Sequence, residues 1–429
     1  MKNFLVRAAC LCGLLLGLLF LAGILGFMQP MPVYAHSLHA ILLRSDPPDG
    51  SVLARSPTSV HLWFSEPVQL VGEPITVLNP TGASVERGAV HVRGVELWTT
   101  INAARAGTYL VSWQVISQDT DPTSGRFVFS VGTPGGMWMS TASSGVSPQG
   151  LLLQVTARLL HFSGYALAFG VLAFLQLVLR PLGLERVETI QKWLWRLISL
   201  GILALLCAEP ISLFAQIASL GNGAFFDANL IGDLLASSFG RVLSQRLGAA
   251  VLLWVLVGIA KQGNGWAVPA ALVLGLVLAF VDGEASHAIS SNPVWLGLLS
   301  NAVHIAAMGI WVGGLVALLA MWRLKEVRSR RDELTSLFGR LAAASVAELV
   351  LSGAIMAWLH LTRPSDLFTT IYGWALTAKL LVVLAALLVV LINWRGDKNK
   401  RPNWWVIEEI ALMGVLVLAG LLVSVAPPA

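Results

Sequence analysis

Two textures divide the chain. Between residues 36 and 132, apolar and polar positions alternate, as in Val60-His61-Leu62-Trp63-Phe64, Thr108-Tyr109-Leu110-Val111-Ser112-Trp113 and Arg126-Phe127-Val128-Phe129-Ser130-Val131. A period of two in β-branched and aromatic residues predicts strands with one buried face. Asp46-Pro47-Pro48-Asp49-Gly50, Asn79-Pro80-Thr81-Gly82 and Ala106-Gly107 mark turns between them. Roughly 95 residues of short strands predict an all-β, Ig-like sandwich.

From residue 151 the alternation gives way to apolar blocks, at about 151–179, 190–219, 241–261, 266–287, 295–322, 337–360, 371–394 and 404–426. Each exceeds the ~20 residues that span a bilayer as a helix. The pattern therefore predicts an all-α polytopic membrane domain of about eight transmembrane helices behind the β-sandwich. The Ser- and Gly-rich stretch Met137–Gly150 reads as a linker. Ahead of the strands, Lys2 and Arg7 precede an apolar run from Ala8 to Phe27, and Val33-Tyr34-Ala35 supplies a cleavage site. The expected organisation is a signal peptide at 1–35, a β domain at 36–132, a linker at 133–150 and a membrane domain at 151–429. An uncleaved anchor helix is the other reading of the first segment. Cleavage after Ala35 makes His36 the first mature residue, with an amine and an imidazole able to reach one metal.

Composition strengthens the membrane reading. Of 429 residues, 56% are hydrophobic and only 12% charged, against about 25% charged in soluble globular chains. A soluble enzyme, a disordered chain and a nucleic-acid binder are excluded as the leading class. The formal net charge of +5 follows from placement. Lys and Arg gather after the first span (Arg180, Arg186, Lys192, Arg196), the third (Lys261), the fifth (Arg323, Lys325, Arg328, Arg330, Arg331) and the seventh (Arg395, Lys398, Lys400, Arg401). The alternate loops carry acids, Asp227 and Asp233 in one, Asp282 and Glu284 in another. Positive loops stay cytoplasmic, so the β domain and the C-terminus are expected outside. Arg241, Arg246 and Arg363 break the rule near outer helix ends, where snorkelling accommodates them.

Cys10 and Cys12 fall in the signal and Cys207 inside a span, so no disulfide within the mature chain and no CxxC metal motif is expected. Histidine, methionine and carboxylate are then the available metal ligands. His161, His287, His304 and His360 all fall at the outer surface or in the outer half of the expected spans. Met308 is one helical turn from His304, and Met356 one turn from His360. Imidazole with thioether suits copper, Met selecting Cu(I) and His accepting either state. The bland reading of each is a helix-capping or interhelical histidine and a methionine that fills the core. Glu209, Glu348 and Lys379 lie inside spans, where ionisable groups are costly and mark functional paths; a Glu–Lys structural pair is the alternative. His61 and His91 read as surface residues of the β domain.

His39-Ala40-Ile41-Leu42-Leu43-Arg44-Ser45-Asp46-Pro47, Asp49-Gly50, Phe64-Ser65-Glu66-Pro67-Val68, Ala106-Gly107-Thr108-Tyr109-Leu110-Val111-Ser112-Trp113, Ser117-Gln118-Asp119 and Gly125–Val131 together resemble the CopC copper-binding proteins. His304 with Trp311-Val312-Gly313-Gly314-Leu315, then Ser352-Gly353, then Tyr372-Gly373-Trp374-Ala375-Leu376 with Lys379 resembles CopD. In this order they are similar to CopC–CopD fusions. The resemblance implies copper binding outside the cell and copper movement through the spans, usually inward. It also implies a Cu(II) site on a mature N-terminal His and an Asp-Gly-His segment. Here that segment is Asp119-Thr120-Asp121, with Asp121 in place of His, and the matching first His is His39 rather than the exposed His36. A weaker or differently built Cu(II) site is expected.

The sequence thus predicts a copper-binding membrane transporter whose partners are copper, the lipid bilayer and a copper chaperone. Without GxxxxGK[ST], GxSxG or HExxH it is not expected to be an enzyme, and transport is expected to be passive or gradient-driven. Two other classes stay open. One is a membrane haem or redox protein with His161 and His304 as axial ligands; the other holds or senses copper without flux.

Overall fold

The computed structural model describes residues 40–118, 120, 122–135, 148–220, 227–284 and 293–360, with the isolated positions 377 and 381. The β domain comprises β1 (Leu42–Asp46), β2 (Val52–Leu53), β3 (Ser59–Phe64), β4 (Gln69–Leu78), β5 (Glu86–Arg93), β6 (Glu96–Ile101), β7 (Gly107–Ile116) and β8 (Pro122–Val131). They form two four-stranded sheets, ordered β1-β3-β6-β5 and β2-β8-β7-β4. All pairings are antiparallel except β2 with β8.

The alternation read from the sequence decides which residues meet between the sheets. Val60, Leu62 and Phe64 of β3 and Leu97 and Ile101 of β6 share one core with Tyr109, Val111, Trp113 and Val115 of β7 and Phe127, Phe129 and Val131 of β8. On the outer side, His61 stacks between Trp63 and Trp98, and His91 stacks on Trp98. His61 also bonds Glu96 at 2.9 Å and Ser59 at 3.1 Å. These two histidines belong to a surface ladder of imidazole and indole rings, as expected. β7 is buried along both faces. At its end Gln114 and Ile116 are covered by the helical domain, with Ile116 in an apolar cluster that includes Leu230 and Leu234.

Six described helices are long and apolar enough to cross a membrane. They are α1 (Pro148–Tyr165, continued through π-helical Ala166–Gly170, α-helical Val171–Phe174 and π-helical Leu175–Leu179), α2 (Glu188–Ser219), α4 (Ser238–Lys261), α5 (Ala267–Glu284), α6 (Val294–Met321) and α8 (Arg331–His360). Two shorter helices lie between them, α3 (Ala228–Ala236) and α7 (Lys325–Arg328). The expected seventh and eighth spans lie outside the described residues.

Glycines set the closest helix contacts. A Cβ on Gly170 of α1 would overlap the carbonyl oxygen of Gly309 on α6, and one on Gly313 would overlap that of Ala166. A Cβ on Gly164 would come within 2.8 Å of Gly201 O on α2, and one on Gly201 within 2.7 Å of Gly164 O. Small residues let helix backbones approach where lipid offers no hydrophobic drive. Gly313 and Gly314, part of the segment that carries the CopD resemblance, are therefore packing residues.

The loop expected over 220–240 contains α3. Asp227 caps it, accepting from Asn229 N at 2.9 Å and Leu230 N at 3.4 Å. Leu230 and Leu234, one turn apart, form its buried face.

Candidate functional site

The Gly164–Gly201 contact brings α1 and α2 together one turn from His161. His161 Nδ1 lies 3.0 Å from Glu209 Oε1 of α2, and its Nε2 lies 3.0 Å from Asp282 Oδ2 of α5. Arg246 of α4 donates from Nε to Asp282 Oδ1 at 2.7 Å. His161, Glu209 and Asp282 are 5%, 2% and 3% exposed. Four helices thus converge on one buried ionic cluster. One turn along α1, the Tyr165 hydroxyl donates to Gly275 O of α5 at 3.0 Å and fixes the α1–α5 spacing.

Pro210 follows Glu209 directly. It lacks the N–H that an α-helix interior needs, so it weakens α2 at this level. Glu209 Oε2 is buried with no hydrogen-bond partner among the described residues. A buried carboxylate oxygen without a donor is costly, and it offers a docking point to a cation or an N–H or O–H donor.

The chemistry follows from donor arithmetic. A neutral imidazole has one N–H and one acceptor nitrogen, whereas an ionised carboxylate only accepts. Hydrogen bonds from both ring nitrogens to carboxyl groups therefore require one further proton, held as an imidazolium or a carboxylic acid. With Arg246, the cluster balances two positive groups against two negative ones when His161 is the imidazolium. Loss of that proton leaves one net negative charge deep among the helices. Such an arrangement can hold and release a proton and attract a cation.

Sequence reasoning singled out His161 and Glu209 but not their partners. The sequence places Asp282 in an acidic outer loop, yet it is buried within α5. The sequence predicts that Arg246 snorkels outward, and the structure corrects this: its guanidinium turns inward onto Asp282. The available signal is the breach itself, a second arginine one turn further into the span than Arg241, on the acidic side.

The second group centres on α6. His304 Nδ1 lies 3.0 Å from Ser352 Oγ of α8, which also donates to Glu348 O at 2.6 Å. Gly353 also faces the ring, and a Cβ there would make an ordinary contact with His304 Cε1 at 3.5 Å. α6 and α8 run antiparallel, with His304 beside Ser352 and Gly314 beside Phe338. Met308 and Met356, both half-buried, therefore lie about 6 Å to either side of His304 along the helix axes. The Glu348 side chain is exposed among the described residues.

His161 and His304 have separate partners. The first is committed to two carboxylates and the second to a serine on another helix, so nothing supports the paired axial ligation of the haem reading. No group of three His, Cys, Asp or Glu among the described residues is arranged to hold a metal ion. Copper at His161 would have to displace a carboxylate from a ring nitrogen. His36, His39, Asp119, Asp121, His287, Lys379 and the side chain of His360 lie outside the described residues.

Three family models match the chain in order. They are the CopC domain at residues 42–132, the copper resistance protein D-like N-terminal domain at 148–294, and copper resistance protein D at 332–424. Copper transport protein CutJ of Bacillus subtilis (strain 168) is 26% identical over 383 residues, covering 85% of this chain and 69% of its own. Inner membrane protein YebZ of Escherichia coli (strain K12) is 25% identical over 291 residues, covering 64% of this chain and 98% of its own. Among solved structures, CopC of Methylosinus trichosporium OB3b is 27% identical with a TM-score of 0.19, covering 24% of this chain and 100% of that one. PcoC, a methionine-rich copper resistance protein from Escherichia coli, is 26% identical with a TM-score of 0.20, covering 22% and 99%.

Proposed function

This chain belongs to the CopC–CopD copper resistance family, and from that premise we propose that it captures copper outside the cell and passes it inward across the cytoplasmic membrane. The observation that carries the reading is the position of the β domain. It packs on Leu220, Leu230, Leu234 and Phe239, at the end of the bundle opposite the basic loops. The buried cluster lies toward that same end, since Glu209 is ten residues before the end of α2 and Asp282 two before the end of α5. The positive-inside rule makes the basic end cytoplasmic. A capture domain on the outer end, above a buried site that attracts cations, supports uptake.

In this reading the β domain is an Ig-like sandwich. Its Tyr109 hydroxyl donates to Arg105 O at 2.8 Å and accepts from Arg105 N at 3.1 Å, in the manner of the tyrosine corner of such sandwiches. The stretches 371–394 and 404–426 add two spans, for eight in all, and place the C-terminus outside. Captured copper passes along Met356, His304 and Met308, spaced about 6 Å apart along the helix axes, whose thioether and imidazole groups suit Cu(I), and moves past Glu209. The proton of the His161 cluster leaves as the cation enters, so net charge in the low-dielectric interior stays balanced. The protein acts as a transporter rather than an enzyme, and a chaperone collects copper on the inner side.

The test is cellular copper content at limiting external copper, with and without the gene. Higher content in the strain carrying it is expected, and equal content would contradict uptake.

A further inference from the structure

α2 is longer than the bilayer's apolar core requires. Its 32 residues extend about 48 Å, against a hydrocarbon core of about 30 Å. The surplus turns at its basic end carry a distinct stripe. Glu188, Lys192, Arg196, Ser199 and Leu203 recur three or four residues apart, so they share one face. Along that face the chemistry changes in order. Charge at Lys192 and Arg196 gives way to the Ser199 hydroxyl, and then to Leu200 and Leu203, which are 55% and 56% exposed. Arg196 and Leu203 are about 10 Å apart along the axis.

A second helix contributes to this stripe. Lys261, the last residue of α4, donates from Nζ to Ser199 Oγ at 3.1 Å and holds its ammonium 6.0 Å from the centre of the Trp195 ring. Where α2 meets the end of α4 lies an open groove of about 770 Å³, whose lining includes Lys192, Trp195, Arg196, Ser199, Leu203 and Lys261. A smaller hollow of about 180 Å³ beside Trp254 and Val255 shares Lys261 with it. Both of those residues are exposed, so the apolar wall continues along α4 away from the basic end.

Charge in the groove is unbalanced. Lys192 pairs with Glu188 at 2.6 Å, the one carboxylate in the lining. Arg196 and Lys261 form no ion pair among the described residues; Arg196 has the Trp193 ring 5.8 Å away. A guanidinium carries five N–H donors and an ammonium three, so most of this capacity is open to a ligand. The positive-inside rule explains why cations gather at this end of the bundle. It does not explain why two helices bring them, with a tryptophan and a serine, onto one groove that turns apolar further in.

We propose that this groove binds an anionic phospholipid from the leaflet at the basic end of the bundle. Arg196 and Lys261 hold its phosphodiester, with Lys192 beside them. Trp195 and Ser199 lie at the level of the glycerol backbone, and the acyl chains run inward along Leu200 and Leu203. Charge complementarity selects the lipid: a zwitterionic headgroup brings a further cation into a groove that already holds three. The bound lipid fastens α2 to α4 at the end away from the ionic cluster, and its binding is independent of copper.

The test is native mass spectrometry of the full chain in detergent, supplied with phosphatidylglycerol or with phosphatidylcholine of the same acyl chains. The parent should retain at least fivefold more phosphatidylglycerol. Arg196→Gln with Lys261→Gln should lower that retention at least tenfold, since each basic residue near a headgroup contributes a factor of about five. Arg186→Gln with Arg328→Gln, at exposed positions outside the groove, should leave it within twofold. Ser199→Phe fills the groove without changing any charge and should lower retention at least fivefold. Glycerol phosphate, a soluble headgroup, should not displace the lipid. Equal retention of the two lipids by the parent overturns the proposal, and is the result expected if another stretch of this chain covers the groove. Equal losses in the two double variants, full retention in Ser199→Phe, or displacement by glycerol phosphate overturn it as well.

Discussion

His161 and Glu209 face each other at 3.0 Å from adjacent helices, with Asp282 on the opposite side of the same imidazole ring. The ring is therefore the shared partner of two buried carboxyl groups. His161→Leu strips a hydrogen-bond partner from both and should destabilise the protein by about 3 kcal/mol or more. Glu209→Gln removes a negative charge but keeps most of the side-chain shape, and its amide N–H can donate to Nδ1 of a neutral His161 whose Nε2–H still donates to Asp282, so it should stay within about 1 kcal/mol of the parent. Thermal unfolding in matched detergent compares the two; a larger loss for Glu209→Gln would contradict this arrangement.

Arg246 and Asp282 form the ion pair that closes the cluster, at 2.7 Å. Removing either charge takes the nearest counter-charge from the other at a buried site, at a cost of up to about 3–5 kcal/mol. The double substitution Arg246→Met with Asp282→Leu should lose clearly less than the two single changes summed. Strict additivity in a double-mutant cycle would show that the pair is not coupled.

The β domain was legible because a half-buried strand repeats every two residues. Val60, Leu62 and Phe64 announce an inner face whatever surrounds them. The spans were legible for a similar reason, since length and apolarity are local properties. The partners within the bundle were not. Asp282 and Arg246 are 36 residues apart and meet only because α4 and α5 pack together, and hydropathy treats each as a helix end. Nor was α3, which is too short for a span and so falls within the stretch between two of them; its local signs are Leu230-Ile231 and Leu234-Leu235 at helical spacing and Asp227 as a cap. The bond from Gln216 Nε2 to Thr120 O, at 2.7 Å, is invisible in sequence, because a glutamine near a helix end normally faces water.

Glycine contacts should tolerate no added methyl group. Gly170→Ala, directed at the Gly309 carbonyl, should cost about 1–3 kcal/mol through overpacking and backbone displacement. Gly258→Ala on α4 meets nothing within 4 Å and should be neutral or slightly stabilising, since alanine suits a helix better than glycine. Equal melting temperatures for the two variants would contradict the close α1–α6 contact.

Orientation has its own check. Cysteine introduced at exposed Arg55 in the β domain and at exposed Arg328 beyond α6 should differ in intact cells treated with a membrane-impermeant thiol reagent. Arg55→Cys should be labelled outright, and Arg328→Cys only after permeabilisation. The reverse pattern would invert the topology and, with it, the direction of transport.

The central claim is that copper crosses the membrane past Glu209 after capture on the β-domain side. The most direct measurement is copper entry into proteoliposomes with the β domain facing outward, comparing the parent protein with Glu209→Gln at equal reconstituted amounts. Entry well above protein-free vesicles, falling at least tenfold in Glu209→Gln while the fold is retained, is the predicted result. Parent entry no faster than protein-free vesicles, or undiminished entry in Glu209→Gln, would contradict it.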